Sequence, residues 1–489
     1  MASANLRLPA KPKRGAWLLP GLWLIGCIVI VVAFFAFAPT TISLDDPTFL
    51  VACAVFIIIL FGALAHIRAQ SLDSRKSSLT LAAVTWWLLM ISEQIFAHTS
   101  TTLQTATGGV ATEAYQEAAS WGIAFLVLLL IMMLRPVSWR PMFSGSYLWI
   151  SLFALLTIVS LPFSESRTYS LVWALKLAIV VLLLQVFAAA TERTEDLMGL
   201  LYAMVAGLSV IVVLRIVRAI LSPEPLFVGG RLNAYASPTG LSALAGILLL
   251  LSLTLYAIRR RGWLIFIGAF ALLAMLVAGG KAGIAAGLIS AMAFFLLQKR
   301  VRRAMGLLLA VLAIGAVLLI ATPLGSYFQD YSQTGQGATF TGRTDLWDVV
   351  WPEILHKPIV GHGYMSSRFL ALDVNVAWDP GHTHNSFLEA LYNNGIPGFL
   401  LILVMNFVIV RNLLRAIGRP LSRESFCLAV GSFAVYLDLL IDGLFKVTFG
   451  GVADSSFMVF LALVVISIKV VGDSRPRVQT SPIIPVGSV

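Results

Sequence analysis

The stretch that decides the fold reads SPTGLSALAGILLLLSLTLYAIRRR, from Ser237 to Arg261. Residues 237–257 carry no charge, and three arginines follow at 259–261. About 20 apolar residues in a helix cross the hydrocarbon core of a bilayer. A basic cluster directly after such a run marks a membrane boundary. Runs of this kind recur along the 489 residues, which are 59% hydrophobic and only 12% charged, with a mean hydropathy of +0.91. Soluble domains carry about 25% charged residues, so an ordinary soluble globule is excluded. Disordered and fibrous chains are excluded by the dominance of apolar runs. The runs are continuous rather than alternating, which argues against a β-barrel. The sequence therefore predicts an all-α polytopic membrane protein.

Working outward from this run gives fourteen expected spans. They cover 16–38, 49–67, 79–97, 119–134, 146–162, 169–190, 196–220, 237–257, 262–279, 281–298, 303–322, 396–410, 424–446 and 453–472. A count of twelve is also compatible, since 146–190 and 262–298 are tight pairs. The apolar run 17–37 is longer than a signal-peptide core and is read as a retained first helix. Residues 1–15 and 473–489 form the tails, and residues 323–395 form one large loop between spans 11 and 12. With both tails in the cytoplasm, twenty-four of the 34 Lys and Arg fall on the cytoplasmic side. The positive-inside rule supports that orientation and explains the net charge of +11 without nucleic acid. Cys27, Cys53 and Cys427 all sit in apolar runs, so no disulfide framework is expected.

The other ten basic residues are Arg167, Lys176, Arg215, Arg218, Arg231, Lys281, Arg343, Lys357, Arg368 and Lys446. In this topology all lie outside or in the outer half of a span. Any one could snorkel or form an ion pair. Asp438, Asp442 and Lys446, spaced i, i+4, i+8, could pair on one helix face. As a group, the cations suit an anionic ligand at the outer interface, such as a lipid-linked phosphate. The external loop is rich in aromatic residues (Trp347, Trp351, Tyr364, Phe369, Trp378), which points to an ordered external cap. Within it, 345–351 is expected to be helical, with Thr344 as N-cap, Trp347 and Trp351 on one face, and Pro352 ending or kinking the helix.

Four of the six histidines (His356, His362, His382, His384) fall in this loop. Ser386 followed by Glu389 has the capping-box pattern. That would set His384 just ahead of a helix N-terminus, where free N–H groups favour phosphate oxygens. Gly395 and Pro397 would then close this short helix before the next span. A histidine there can serve as a general base, or simply hydrogen-bond the loop backbone. A metal site from His362, Asp379, His382 and His384 is the other reading, although its spacing matches no zinc signature. No Walker loop, serine elbow, dinucleotide motif or external Asp-x-Asp is present, and Gly279-Gly280-Lys281 reads as a tight turn.

Taken together, Thr341-Gly342-Arg343-Thr344-Asp345-Leu346-Trp347, Pro358-Ile359-Val360-Gly361-His362-Gly363-Tyr364, His384-Asn385-Ser386-Phe387-Leu388-Glu389 and Asn394-Gly395-Ile396-Pro397-Gly398 resemble the signature region of the O-antigen ligase and polymerase superfamily. Arg231-Leu232-Asn233 and Gly280-Lys281-Ala282 resemble its basic external turns. The resemblance covers roughly residues 200–470. It implies a bacterial inner-membrane glycosyltransferase without a cofactor or metal. Its donor would be a glycan on undecaprenyl diphosphate, and its acceptor a glycan or lipid A-core hydroxyl. On that resemblance His384 and Arg343 are the catalytic residues. Arg231, Lys281, Arg215, Arg218, His382, Asn385 and Tyr364 are substrate-binding candidates. Lysine at 281 stands where the family often has arginine; it keeps the charge and loses the bidentate fork. The partners implied are membrane lipids and other polysaccharide-assembly proteins.

Other readings stay open. The first stretch, TGRTDLW, leans toward an exopolysaccharide polymerase over a ligase. Transfer to protein hydroxyls is a variant of the same chemistry. In a different class, a chain with this many spans suits a polysaccharide or lipid-linked-sugar transporter or flippase, although transporters carry their charges near the midplane.

Overall fold

A computed structural model describes residues 140–143, 145–191, 194–222, 224–228, 231–233, 237–321, 343–369, 382–450 and 455–473, with isolated positions between 86 and 132. All lie in one unit, Ser71–Val489. The first two expected spans, and most of the next two, lie outside the described residues, as do Asp379 and Trp378.

The described chain is helical. After a 3-10 turn at Arg140–Phe143, α1 spans Gly145–Val159, α2 Arg167–Ala190 and α3 Thr194–Leu221. A two-residue hairpin follows, β1 Phe227–Val228 against β2 Arg231–Leu232. Then come α4 Pro238–Arg259, α5 Trp263–Ala278, α6 Lys281–Leu297 and α7 Val301–Ala321. The later elements are α8 Arg343–His356, α9 Ser386–Ile417, α10 Arg423–Gly443 and α11 Ser455–Asp473. Among the described residues, five helices are long and apolar enough to cross a membrane: Tyr169–Ala190, Glu195–Leu221, Pro238–Arg259, Ser386–Ile417 and Arg423–Gly443.

The run that opened the sequence reading is the hub. Helix α4 packs on α3, α5, α6 and α10, and most of its side chains are buried. A helix apolar all round belongs in such a position. Small residues permit close crossings. A Cβ on Gly283 would lie 2.7 Å from the backbone N of Ala243, so α6 and α4 touch backbone to backbone there.

Two local expectations change, and a third holds. Helix α8 starts at Arg343 and runs through Pro352 to His356. Pro352 and Asp348, the residue whose carbonyl loses its partner, are both exposed, so water can serve that carbonyl. Helix α10 ends at Gly443, so Lys446 is not on a helix face with Asp438 and Asp442; its ammonium donates to the Ser456 hydroxyl at 3.2 Å. The short helix after His384 closes at Gly395 as expected: its non-helical backbone (φ 63°, ψ −164°) sets a kink between that helix and the next span, the two together forming α9.

Candidate active site

The four signature motifs meet at one end of the helices. Gly361 and Gly395 both hold positive φ (69° and 63°). A Cβ on Gly361 would sit 2.6 Å from the Asn393 carbonyl, and one on Gly395 would strike the Ile359 carbonyl. Only glycine tolerates both the backbone and the contact. The strands of chain are tied by His362 N–H to Tyr392 O at 2.9 Å, Gly363 N–H to Asn393 O at 2.8 Å and Ile396 N–H to Pro358 O at 2.8 Å. Leu346, Val350 and Ile354 of α8 pack on Tyr392 of α9. The Trp347 indole donates to Thr383 O at 2.9 Å, which fixes the helix bearing Arg343 to the histidine loop.

The helix cap differs from the capping box expected. Asn385 is the N-cap, and its side chain accepts from Phe387 and Leu388 N–H at 2.9 and 3.1 Å. Its amide donates to Leu444 O at 3.2 Å. Ser386 is the first helical residue. Its hydroxyl donates to Lys446 O and accepts from the N–H groups of Thr448 and Phe449. Glu389 does not reach back to the cap. It is buried and accepts from Thr383 N–H (3.0 Å), the Thr383 hydroxyl (2.9 Å), the Asn393 amide (2.9 Å) and the Ser367 hydroxyl. These bonds hold the 382–384 turn.

In that turn His384 has a left-handed backbone (φ 52°), uncommon for a side chain with a Cβ and found often at functional sites. Its N–H donates to His382 Nδ1 at 3.1 Å. The two rings lie 4.0 Å apart, centroid to centroid. Burial, and then His384, Arg368, Lys446 and Arg343, hold the His382 imidazole well below the usual histidine range. An Nδ1 that accepts a hydrogen bond also requires the neutral ring, with the proton on Nε2.

Arg343 belongs to a second group as well. Lys281, the first residue of α6, lies within electrostatic range of both Arg231 and Arg343. Arg231 sits on β2 with its aliphatic stem against Gly279; a Cβ there would lie 3.0 Å from Arg231 Cγ. Gly280 N–H donates to the Ser242 hydroxyl at 2.9 Å, which fixes the turn that carries Lys281. Arg343 thus joins a cationic group (Arg231, Lys281) to the histidine pair. The arrangement can hold an anion with several charges while a neutral imidazole stands beside it.

The remaining candidates fall differently. Arg215, on α3, is buried with its guanidinium against Gly240 at the start of α4; Arg218 is half-buried one turn on along α3. Asn385 serves as a cap, with its side chain committed to backbone groups. Tyr364 is outside the cluster: its ring is buried and its hydroxyl donates to Gly450 O at 2.6 Å. Burial, followed by Glu389 and Tyr169, pushes its phenol well above the ordinary range. His362 stacks on Tyr392 at 4.4 Å and pairs its Nε2 with Glu353 O at 3.0 Å. No three His, Cys, Asp or Glu are arranged to hold a metal among the described residues. Two cations that the sequence reading did not select, Arg368 and Lys446, stand beside His382. The signal for them was their position among the ten basic residues on the outer side. The signal for Glu389 as a clamp was mostly absent: Asn393 lies one helical turn on, but Thr383 and Ser367 lie 6 and 22 residues away.

Fold and site together define a helical membrane protein whose apolar bundle carries a cap of histidines and cations at one end. Residues 266–403 match the family model of O-antigen ligase, which supports the resemblance to the O-antigen ligase superfamily, a glycosyltransferase-type enzyme family. That stretch holds Lys281, Arg343, His382, His384 and Glu389, while Arg215, Arg218 and Arg231 lie ahead of it. No curated protein matches the chain.

Proposed function

We propose that this protein is a periplasm-facing glycosyltransferase of the bacterial inner membrane. It moves a glycan from undecaprenyl diphosphate to a sugar hydroxyl during O-antigen or exopolysaccharide polymerisation or ligation. The observation that carries the reading is the meeting of Arg231, Lys281 and Arg343 next to His382 and His384. A lipid-linked diphosphate needs that combination: cations for the carrier's head group and a base for the acceptor.

The step is a single displacement. The acceptor hydroxyl attacks the anomeric carbon, and the bond from that carbon to the diphosphate oxygen breaks. His384 takes the hydroxyl proton. The electron pair leaves on the diphosphate, whose growing charge is met by the guanidiniums of Arg231 and Arg343 and the ammonium of Lys281. The anomeric centre inverts. Fourteen spans, with both termini cytoplasmic and residues 323–395 outside, complete the topology. Arg215 and Arg218 extend the cationic surface toward the carrier.

The test is transfer in membranes from a lipid-linked glycan donor, read by gel for products. His384→Ala and Arg343→Ala should abolish transfer with the protein still folded. Full transfer by His384→Ala refutes the base assignment. In a deletion strain, loss of long chains with one repeat still on the acceptor identifies a polymerase. Long chains accumulating on undecaprenyl diphosphate identify a ligase.

A further inference from the structure

At the end of the helices away from the histidines, α4, α5 and α6 part around an apolar cavity of about 300 Å³. This is the lower end of the range for ligand clefts. Leu253, Gly268, Leu272 and Phe295 line it, and Tyr256, Gln298 and Arg303 stand at its polar edge. Its α5 wall is open: Ile265 and Ala269 are exposed.

Two features at the edge call for an anion. The buried Nε2 of Gln298 makes no hydrogen bond among the described residues, although a buried donor left unserved is costly. Around it the charge is strongly positive. Arg300 lies within electrostatic range of Arg303, Arg260 and Arg423, and Arg260 lies over the Tyr256 ring at 5.8 Å. The acids at this end are fewer: Glu195 and Asp196 in the first turn of α3, and Glu424, which is engaged by Arg259 at 3.3 Å. A topological bias toward basic residues explains a positive rim. It does not explain an apolar slot opening beneath that rim with an unserved amide in its wall.

We propose that this groove is a binding site for an anionic phospholipid of the leaflet opposite the histidine site. One acyl chain lies in the slot between α4, α5 and α6, and the phosphate is held by Arg303, Arg300 and the Gln298 amide. The charge favours an acidic head group over a zwitterionic one, and the apolar walls favour a lipid over a free anion.

The test uses the purified full-length protein in detergent, with phosphatidylglycerol or phosphatidylcholine of the same chains added, and native mass spectrometry to count retained lipid. Phosphatidylglycerol should be retained about tenfold better, because both lipids offer the phosphate but phosphatidylcholine also brings a cation among the arginines. Arg303→Ala combined with Gln298→Leu should bring it down to the phosphatidylcholine level. Ala269→Trp, on the open wall, should reduce retention of both lipids by filling the slot. Equal retention of the two lipids, or Arg303→Ala/Gln298→Leu binding like the parent, overturns the proposal. A dimer mass that disappears in Ala269→Trp also overturns it, since a second copy would then occupy the groove. If Ala269→Trp does not fold, the Arg303→Ala/Gln298→Leu pair at the rim decides alone.

Discussion

Replacing Glu389 by glutamine changes one atom and should disable the enzyme. Glu389 serves four donors with two acceptor oxygens: Ser367 and Asn393 on one side, Thr383 N–H and hydroxyl on the other. A glutamine amide must turn its NH2 toward one pair. If it faces Thr383, it opposes a backbone N–H. If it faces Asn393, it opposes another amide, and that amide cannot flip freely because its Oδ1 accepts from Ser367 N–H at 3.0 Å. Either way a buried donor loses its partner, at a cost of about 1–3 kcal/mol. The relaxation falls on the 382–384 turn, where His384 holds its unfavourable backbone. A displacement of about 1 Å costs on the order of 100-fold in rate. The assay is initial transfer rate in membranes, with the detergent melting temperature measured on the same preparation. Glu389→Gln should lower the melting temperature modestly and the rate by about 100-fold. An unchanged rate would show that the clamp does not position the histidine turn.

The other predictions concern charge, pH and packing. Lys281→Arg should keep transfer, and Lys281→Ala should lose about 10²–10³ of it, the usual worth of one preorganised donor; equal rates in the two variants would remove Lys281 from the site. The His382 pKa is depressed, so on acidification from pH 6.5 the unfolded chain takes up a proton that the folded ring refuses. Stability should therefore fall below about pH 6.5, by at most about 1.4 kcal/mol per pH unit. His382→Asn, which keeps an acceptor without a charge, should flatten that part of the pH–melting curve; identical slopes would place the titration elsewhere. Gly361→Ala should reduce folded protein on size-exclusion chromatography, because its Cβ would sit 2.6 Å from the Asn393 carbonyl at positive φ; wild-type yield would refute the tight contact.

Hydropathy made the helices legible because a bilayer demands long apolar runs, and the expected spans from 146 onward each coincide with a helix. The details set by distant partners were not legible. Asn385 and Ser386 are both good N-caps. The choice between them is made by Lys446, Thr448 and Phe449, which claim the Ser386 hydroxyl. The i, i+4, i+8 spacing set Lys446 on one helix face with Asp438 and Asp442; the helix stops three residues earlier, at Gly443, yet Lys446 still lies within electrostatic range of Asp438. Asp438 is enclosed between Gly246 and Gly287, with no hydrogen bond to either oxygen among the described residues. In the site, residue types that bind phosphate or move protons could be read singly. The placement of Arg343 between two groups depends on the Trp347–Thr383 bond and the glycine contacts, which no local pattern encodes. Tyr364 sits in a signature motif, and its hydroxyl is nonetheless spent on Gly450.

The way α10 meets α9 explains why the histidines stand where they do. Asn385 bonds Leu444, just past the end of α10, and Ser386 bonds the chain immediately beyond. The N-terminus of the histidine helix is thereby pinned to the end of a helix long and apolar enough to span a bilayer. Helix α9 itself continues past Gly395 into a second such run. On the other side, Lys281 begins α6 directly, and Arg231 rests on the Gly279 turn. Each group of the site is thus attached within a few residues of an apolar helix end, at the level where a bilayer would meet water. A soluble anion would need no such placement. The lipid-linked donor of the proposed function would have its head group at that level, where the charges and the imidazole would meet it.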